Sequence, residues 1–380
     1  MRIAVVCFPT VGGSGILATG LGQAIADRGH EVHFVAYQPP VRFEPSPNRF
    51  YHQVELPRPE VANNRAPLPA SPYLMPLAAA LGQVCRRHSI DIIHVHYAVP
   101  HAHAAQIARE SLPESPPLIV TLHGTDVSSW SQQEGYRALL RSVLEKSDTV
   151  TAVSDHLCVE AETSLGLTRP VERIYNFCTS RGPVRSRQET RRELGIEDTE
   201  LVALHMSNLR PVKNFELVLR AFAGSKVDKL LVLDGGDFSE YRSLADELNL
   251  ESRLLVRKTN WVEDYVEAAD LGLYASWQES FGLGILETMQ GGRPVVTTAV
   301  GGVPEVVSST GLLSEAGQLQ PLLDNLNRLA DDRTLLSSLG KRARHRAESE
   351  FSLPRAVDCY EELYQRVLRS SLELKTSCRE

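Results

Sequence analysis

The sequence predicts an α/β protein made of two doubly wound domains of similar size. Three observations carry this. Short apolar, β-rich runs recur along the 380 residues with helical stretches between several of them, which means parallel sheets covered on both faces. A polar break at 181–192 interrupts that rhythm once, after which it restarts. Glycine-rich turns and charged residues stand just after strands, where open α/β sheets bind ligands.

In order, R-I-A-V-V-C-F (2–8) is the first strand. A glycine-rich turn leads into a helix, where Ile16, Leu17, Leu21, Ala24 and Ile25 fall near helical spacing and Gly29 is the stop. E-V-H-F-V-A-Y (31–37) is the second strand, and further strands read at 90–96, 117–123, 148–153 and 171–176. Residues 37–76, rich in Pro and Asn, read as a long loop with room for a small hairpin. R-G-P-V-R-S-R-Q-E-T-R-R (181–192) carries five Arg and reads as a solvated linker. The second set of strands is 200–206, 229–234, 253–257, 271–275 and 294–298. From about 317 the tail is helical, and its last helix, from about 354 towards 380, is expected to pack back on the first domain. The domains are therefore 1–180 and 193–353, Rossmann-like and expected to face a central cleft.

Composition bounds the function. Hydrophobic content of 42% and charged content of 23% are those of a soluble globular protein. A net charge of −7 argues against a nucleic-acid surface. No apolar run reaches the roughly 18 residues of a membrane span, and the N-terminal run reads as a strand rather than a signal peptide. Cys7, Cys85, Cys158, Cys178, Cys359 and Cys378 form no C-x-x-C, so free thiols in a reducing cytoplasm are expected.

Four stretches bear chemistry. G-G-S-G (12–15), with Ala18, reads as a G-x-G-x-x-A dinucleotide turn, but F-V-A-Y-Q at the second strand's end supplies no acid for a ribose. The glycines still let backbone N–H groups approach an anion or a sugar, or they simply make a tight turn. In S-N-L-R-P-V-K-N (207–214), Arg210 and Lys213 precede a helix, a combination that suits phosphate as well as a solvated loop. In E-S-F-G-L-G-I-L-E (279–287), Glu279 lies at a strand exit and Glu287 two turns on. Amides near Phe281 and Gly282 open the helix between these acids, which suits sugar and ribose hydroxyls beside negative charge. There is no Asp-x-Asp and no P-loop motif, so diphosphate neutralisation falls to the two cations and a helix end. His94, His96, His101, His103 and His123 cluster in the first half; a zinc site there lacks a convincing further ligand, and His123 in T-L-H-G-T-D is the one placed in a site.

At these residues the sequence resembles the retaining glycosyltransferases of the two-Rossmann (GT-B) kind, family four. The marks are the spacing of Glu279 and Glu287, the Arg210/Lys213 pair and His123. Within the family, F-P-T-V-G-G-S-G (8–15), H-V-H-Y-A-V-P-H-A (94–102), T-L-H-G-T-D (121–126), T-A-V-S-D-H-L (151–157) and I-Y-N-F (174–177) look most like one branch. That branch transfers N-acetylglucosamine from UDP-GlcNAc to the hydroxyl of L-malate, the first step of bacillithiol biosynthesis.

The resemblance implies catalytic roles for His123, Glu279, Arg210 and Lys213. The diphosphate would be bound by Arg210 and Lys213, the ribose by Glu287 and the donor sugar by Glu279. Amides at Gly12, Gly13, Phe281, Gly282 and Leu283 would line the donor, with the uracil near Lys258. The acceptor would lie among Ser14, Tyr97, Thr125 and Asn176. No metal or other cofactor is implied. The partners are UDP-GlcNAc and L-malate, with no nucleic acid, no stable membrane insertion and homodimerisation left open. Two departures stand out. G-G-D-F-S-E (235–240) replaces the G-x-G-P of many relatives, so no role is carried there. The cation for malate's carboxylates is not evident, with Arg137 and Arg141 as candidates. The alternatives are another acceptor (an inositol phosphate or a lipid), a metal-dependent hydrolase using the histidines, and a non-catalytic nucleotide-sugar sensor.

Overall fold

The computed structural model describes residues 1–10, 13–56, 73–178, 181–259 and 261–377. The chain divides into two units, Met1–Asn176 with Leu353–Glu380, and Phe177–Ser352.

The first unit holds a seven-stranded parallel sheet. Its strands are β1 (Arg2–Val6), β2 (Glu31–Ala36), β3 (Arg49–Gln53), β4 (Ile92–His96), β5 (Leu118–Leu122), β6 (Thr149–Ala152) and β7 (Glu172–Arg173). Their spatial order is β3-β2-β1-β4-β5-β6-β7. Strands such as R-I-A-V-V and L-I-V-T-L are apolar throughout because helices cover both faces. Ile3, Phe34, Ile92, Ile93 and Ile119 are fully buried. Helix α1 (Gly13–Asp27) packs closely on this sheet: a Cβ at Gly22 would lie 2.6 Å from the Phe34 ring, and one at Gly15 only 2.4 Å from the Phe8 carbonyl. Only glycine lets the helix start so near the turn after β1.

The second unit holds a six-stranded parallel sheet of β8 (Val202–Ser207), β9 (Lys229–Asp234), β10 (Leu254–Arg257), β11 (Leu271–Leu273), β12 (Val295–Thr298) and β13 (Leu312–Ser314), in the order β10-β9-β8-β11-β12-β13. Its core gathers Phe215, Phe222, Leu230, Val232, Leu271, Leu273 and Leu326. In both sheets the strand order reverses beside the first strand, between β1 and β4 and between β8 and β11. Ligand sites in such sheets form at these switch points.

Two expectations are corrected. The 37–76 stretch carries no hairpin among its described residues; Arg49–Gln53 instead adds to the sheet edge in parallel with β2, with His33 opposite Phe50 and Val35 opposite His52. Apolar Phe50 and Tyr51 among polar neighbours suit an edge strand, which a Pro-rich context hides. Residues 181–192 are not a solvated linker. Ser186 and Glu189 form a capping box on the Arg187–Leu194 helix. Arg191 is 1% exposed and donates to the carbonyls of Ala268 and Glu197; Arg187 donates to those of Glu267, Ala268 and Ala269. These arginines satisfy carbonyls left open where the Glu263–Ala268 helix ends. Strand β13 precedes the helical tail and had no sequence signal beyond L-L-S.

The last helix, Leu353–Ser377, lies with the first unit. Tyr364 and Tyr360 are buried there, bonding His94 Nδ1 at 2.7 Å and Thr121 Oγ1 at 3.2 Å. Glu361 receives His30 at 2.9 Å and Arg28 at 2.7 Å. No helix among the described residues is long and apolar enough to cross a membrane. Cys7, Cys85 and Cys359 are free thiols; Cys378 lies outside the described residues.

Candidate active site

In the second unit, loops at the carboxyl ends of the neighbouring strands β8 and β11 bring Arg210, Lys213 and Glu279 together, with the β12 loop beside them. The turn after β8 is held tightly. Leu209 has φ 49 although it is neither glycine nor asparagine, a conformation costing on the order of 1–3 kcal/mol. Its N–H donates to Ser207 Oγ at 3.1 Å, its carbonyl accepts from Tyr241 at 3.2 Å, and its side chain is buried. These contacts hold the strained residue and leave Arg210 exposed beside it. A short turn, Pro211–Lys213, follows, and Asn214, with φ 49, opens the Phe215–Ala223 helix.

Lys213 Nζ donates to Glu279 Oε1 at 2.6 Å, and Ser276 Oγ donates to the same oxygen at 2.8 Å. The pair is partly buried, with side chains 18% and 14% exposed. Trp277 N–H donates to the Val212 carbonyl at 2.8 Å, locking the β11 loop to the β8 loop. The β12 loop joins through Gly302 N–H to the Glu279 carbonyl at 3.0 Å. Gly301 has φ 54, and a Cβ there would lie 1.8 Å from that carbonyl, so only glycine fits.

The helix expected to open near Phe281 and Gly282 spans Leu283–Gln290. Gly282 begins it with φ 92 and no side-chain cap, so the first-turn N–H groups have no side-chain cap. Tyr274 Oη bonds the Gly284 carbonyl at 3.0 Å and Thr288 Oγ1 at 2.7 Å, pinning the helix start to the sheet. The Phe281 ring is buried edge-on to Phe351 at 5.6 Å, so only its backbone is available to a ligand. Glu287 is half-buried in the second turn. Lys258 stands after the edge strand β10 and donates to the Gly236 carbonyl at 3.0 Å. Asp234 anchors that glycine loop, accepting from Gly236 N–H at 2.6 Å and Phe238 N–H at 2.9 Å.

In the first unit the corresponding edge presents uncharged imidazoles. His123 follows β5, and its Nε2 is 3.0 Å from Nδ1 of His96 on β4. His94, also on β4, bonds Thr121 at 2.8 Å. Burial pushes the imidazoles of His94 and His123 down to about 3 and that of His101 to about 4, so they are uncharged near neutrality. Tyr97, with φ 81, stacks on His123 at 5.5 Å and meets Phe8 edge-on at 5.4 Å. Asp126 is fully buried beneath both loops. It accepts from His123 N–H at 3.2 Å, Gly124 N–H at 2.8 Å and Ala98 N–H at 3.2 Å. Burial raises its carboxyl to about 6, partly offset by these backbone donors.

Of the remaining expected residues, Gly13 and Ser14 open α1, Thr125 begins a short turn (Thr125–Ser128), and Asn176 is buried after β7. Gly12 lies outside the described residues. Arg137 donates to the Ser131 carbonyl at 2.9 Å, and Arg141 lies near Gly166. The five clustered histidines do not assemble as metal ligands; among the described residues only His33, His52 and His88 bring three ligand atoms within 4.8 Å of one another. Sequence reasoning missed Asp126, Ser276, Gly301 and Asp234. Asp126 had a signal, since an Asp two residues after Gly in H-G-T-D suits a side-chain-to-backbone turn.

The family description "Glycosyltransferase Family 4" matches residues 11–179, and "Glycosyl transferases group 1" matches residues 186–346. The N-acetyl-alpha-D-glucosaminyl L-malate synthase of Bacillus anthracis is 36% identical over 378 residues, covering 97% of this chain and 98% of that protein. The chain is a family 4 glycosyltransferase. Solved structures share the fold of this glycosyltransferase. Sucrose-phosphate synthase from Thermosynechococcus elongatus aligns with TM-score 0.80 at 22% identity, covering 97% of this chain and all (100%) of that one. Anabaena Alr3699/HepE in complex with UDP and glucose aligns with TM-score 0.77 at 20% identity, covering 96% and 100%. Both likenesses support a GT-B fold for this family 4 enzyme.

Proposed function

We propose that this glycosyltransferase moves N-acetylglucosamine from UDP-GlcNAc to the hydroxyl of L-malate with retention, in the cytoplasm and without a metal ion, as the first step of bacillithiol biosynthesis. The observation that carries this reading is the end-to-end similarity, at 36% identity, to a protein that bears that name.

The geometry of the second unit supports a nucleotide-sugar donor. Arg210 offers a forked guanidinium and Lys213 a point charge for the diphosphate. Glu279 positions the ammonium before any ligand arrives and supplies a carboxylate for sugar hydroxyls. The start of the Leu283–Gln290 helix adds N–H groups to the same edge, and Glu287 is the group for the ribose. In the first unit, His123 and the acceptor residues Ser14, Tyr97, Thr125 and Asn176 act as neutral hydrogen-bonding groups. In the reaction the bond from the sugar's anomeric carbon to the phosphate oxygen breaks, and a bond to the malate hydroxyl oxygen forms on the same face. The hydroxyl proton passes to the departing phosphate oxygen, so no enzyme nucleophile is needed.

The test is release of UDP by the purified protein with UDP-GlcNAc and L-malate in the presence of EDTA. Malate-dependent release is expected. Its absence, with an active control enzyme, would remove the malate reading. A panel containing other hydroxy-diacids and an inositol phosphate would reveal a different acceptor.

A further inference from the structure

Away from the edge just described, three histidines from three elements meet at the side of the first sheet. His33 is on β2, His52 is on β3, and His88 ends helix α2 (Leu74–His88). His33 is 1% exposed and stacks between Phe50 at 4.8 Å and His52 at 5.1 Å. His88 tilts over both rings, at 4.5 Å from His33 and 5.0 Å from His52. One ring nitrogen from each of the three lies within 4.8 Å of the other two.

His33 Nδ1 and His52 Nε2 share a hydrogen bond at 2.9 Å, which a metal could replace because two nitrogens on one tetrahedral zinc stand about 3.3 Å apart. The other His33 nitrogen, Nε2, is buried and has no hydrogen-bond partner. Glu31 Oε2 lies 3.8 Å from it, beyond hydrogen-bond distance.

We propose that His33, His52 and His88 form a three-imidazole site for a divalent transition metal, Zn²⁺ first, that clamps the edge strand β3 to β2 and α2. Coordination through His33 Nδ1 leaves a proton on Nε2, with the Glu31 carboxylate 3.8 Å away. Closing that gap on metal binding would give the carboxylate–histidine–metal arrangement that orients imidazole ligands. Neutral imidazoles suit zinc and its neighbours rather than calcium or magnesium, which take oxygen ligands. Arg2 and Arg87 lie near enough to oppose added charge, and Glu31 is the counterweight on that edge. With three protein ligands, the fourth position would fall to water. The role is structural: an edge strand exposes one row of backbone groups, and a metal tying it to a helix restrains it.

The experiment is a Zn²⁺ titration of chelator-stripped full-length protein against a chromophoric zinc competitor, with melting temperature measured in parallel. One tight equivalent and a zinc-dependent rise in melting temperature are expected. His88→Gln and His52→Gln should each abolish both responses while keeping the native circular dichroism spectrum. Glu31→Gln should weaken binding by about 10-fold. His156→Gln, on an exposed helix face, should bind as the unsubstituted chain does. Cobalt in place of zinc should give the visible absorption of a tetrahedral nitrogen site, lost in His88→Gln. No bound equivalent, or an equivalent that survives His88→Gln but disappears in His96→Gln, would overturn the proposal.

Discussion

At the end of β8 the second unit presents a lysine paired with a glutamate at 2.6 Å, while at the end of β5 the first unit presents a histidine held among uncharged groups. Both edges are built from matching strands of sheets with the same order, β1, β4 and β5 against β8, β11 and β12. In one, three loops converge on Glu279, which keeps an ammonium in place. In the other, two loops converge on Asp126, which gives its hydrogen-bonding capacity to backbone N–H groups and places no cation. The same architecture can therefore prepare a charged or a neutral surface, depending on whether its buried carboxylate faces a side chain or the backbone. Fixed charge suits a departing diphosphate, and neutral donors and acceptors suit a sugar or hydroxyl, which desolvated cations would serve poorly.

Substitutions can break that comparison. The largest expected effect is in Lys213→Ala: transfer should fall by about 10²–10³-fold. The partly buried pair should contribute only about 1 kcal/mol to folding, so the melting temperature should move by a few degrees. A collapse in melting temperature with catalysis retained would make the β8 edge structural and erase the contrast.

Next is Asp126→Ala, which strands three backbone donors and should cost about 2–3 kcal/mol of stability in denaturant unfolding. An unchanged unfolding midpoint would mean that the first-unit loops are held by something else.

The pH dependence of stability follows. Folded-state values for His94, His101 and His123 lie at about 3 to 4, below the ordinary 6.5. Their contribution is present above about 6.5 and is lost as pH falls towards those values. Asp126 acts oppositely: raised from 3.8 to about 6, it favours the folded state below 3.8 and loses that contribution as pH rises through 6. His33, His96 and His205 are lowered by burial in the same way, so the histidines outweigh Asp126 and the protein should become less stable from pH 6.5 down to 4. His94→Gln should flatten that slope, and Asp126→Asn should steepen it.

The smallest expected effect is Tyr364→Phe, which removes the bond to His94. It should cost about 1 kcal/mol and sharpen the view that the last helix stabilises the histidine chain from behind.

Much of the architecture was legible locally. Apolar runs are what buried parallel strands require, and the Leu283–Gln290 helix could be placed because a glycine and a change of periodicity mark its start. Arg49–Gln53 was not legible: an edge strand buries one face weakly and lies here in a Pro-rich stretch. The arginines of 181–192 misled because charge in sequence looks solvated, whereas Arg187 and Arg191 bond open helix-end carbonyls from about 80 residues away.

By itself the sequence determined the α/β class, the doubling of the sheet and the stretches bearing chemistry, because periodicity, glycine placement and residue type act over a few neighbours. Only the tertiary structure decided that Lys213 and Glu279 hold each other, that Asp126 serves the backbone, and that His33, His52 and His88 meet. Each of these depends on which strands become neighbours, and that choice is made by burial summed over a whole sheet.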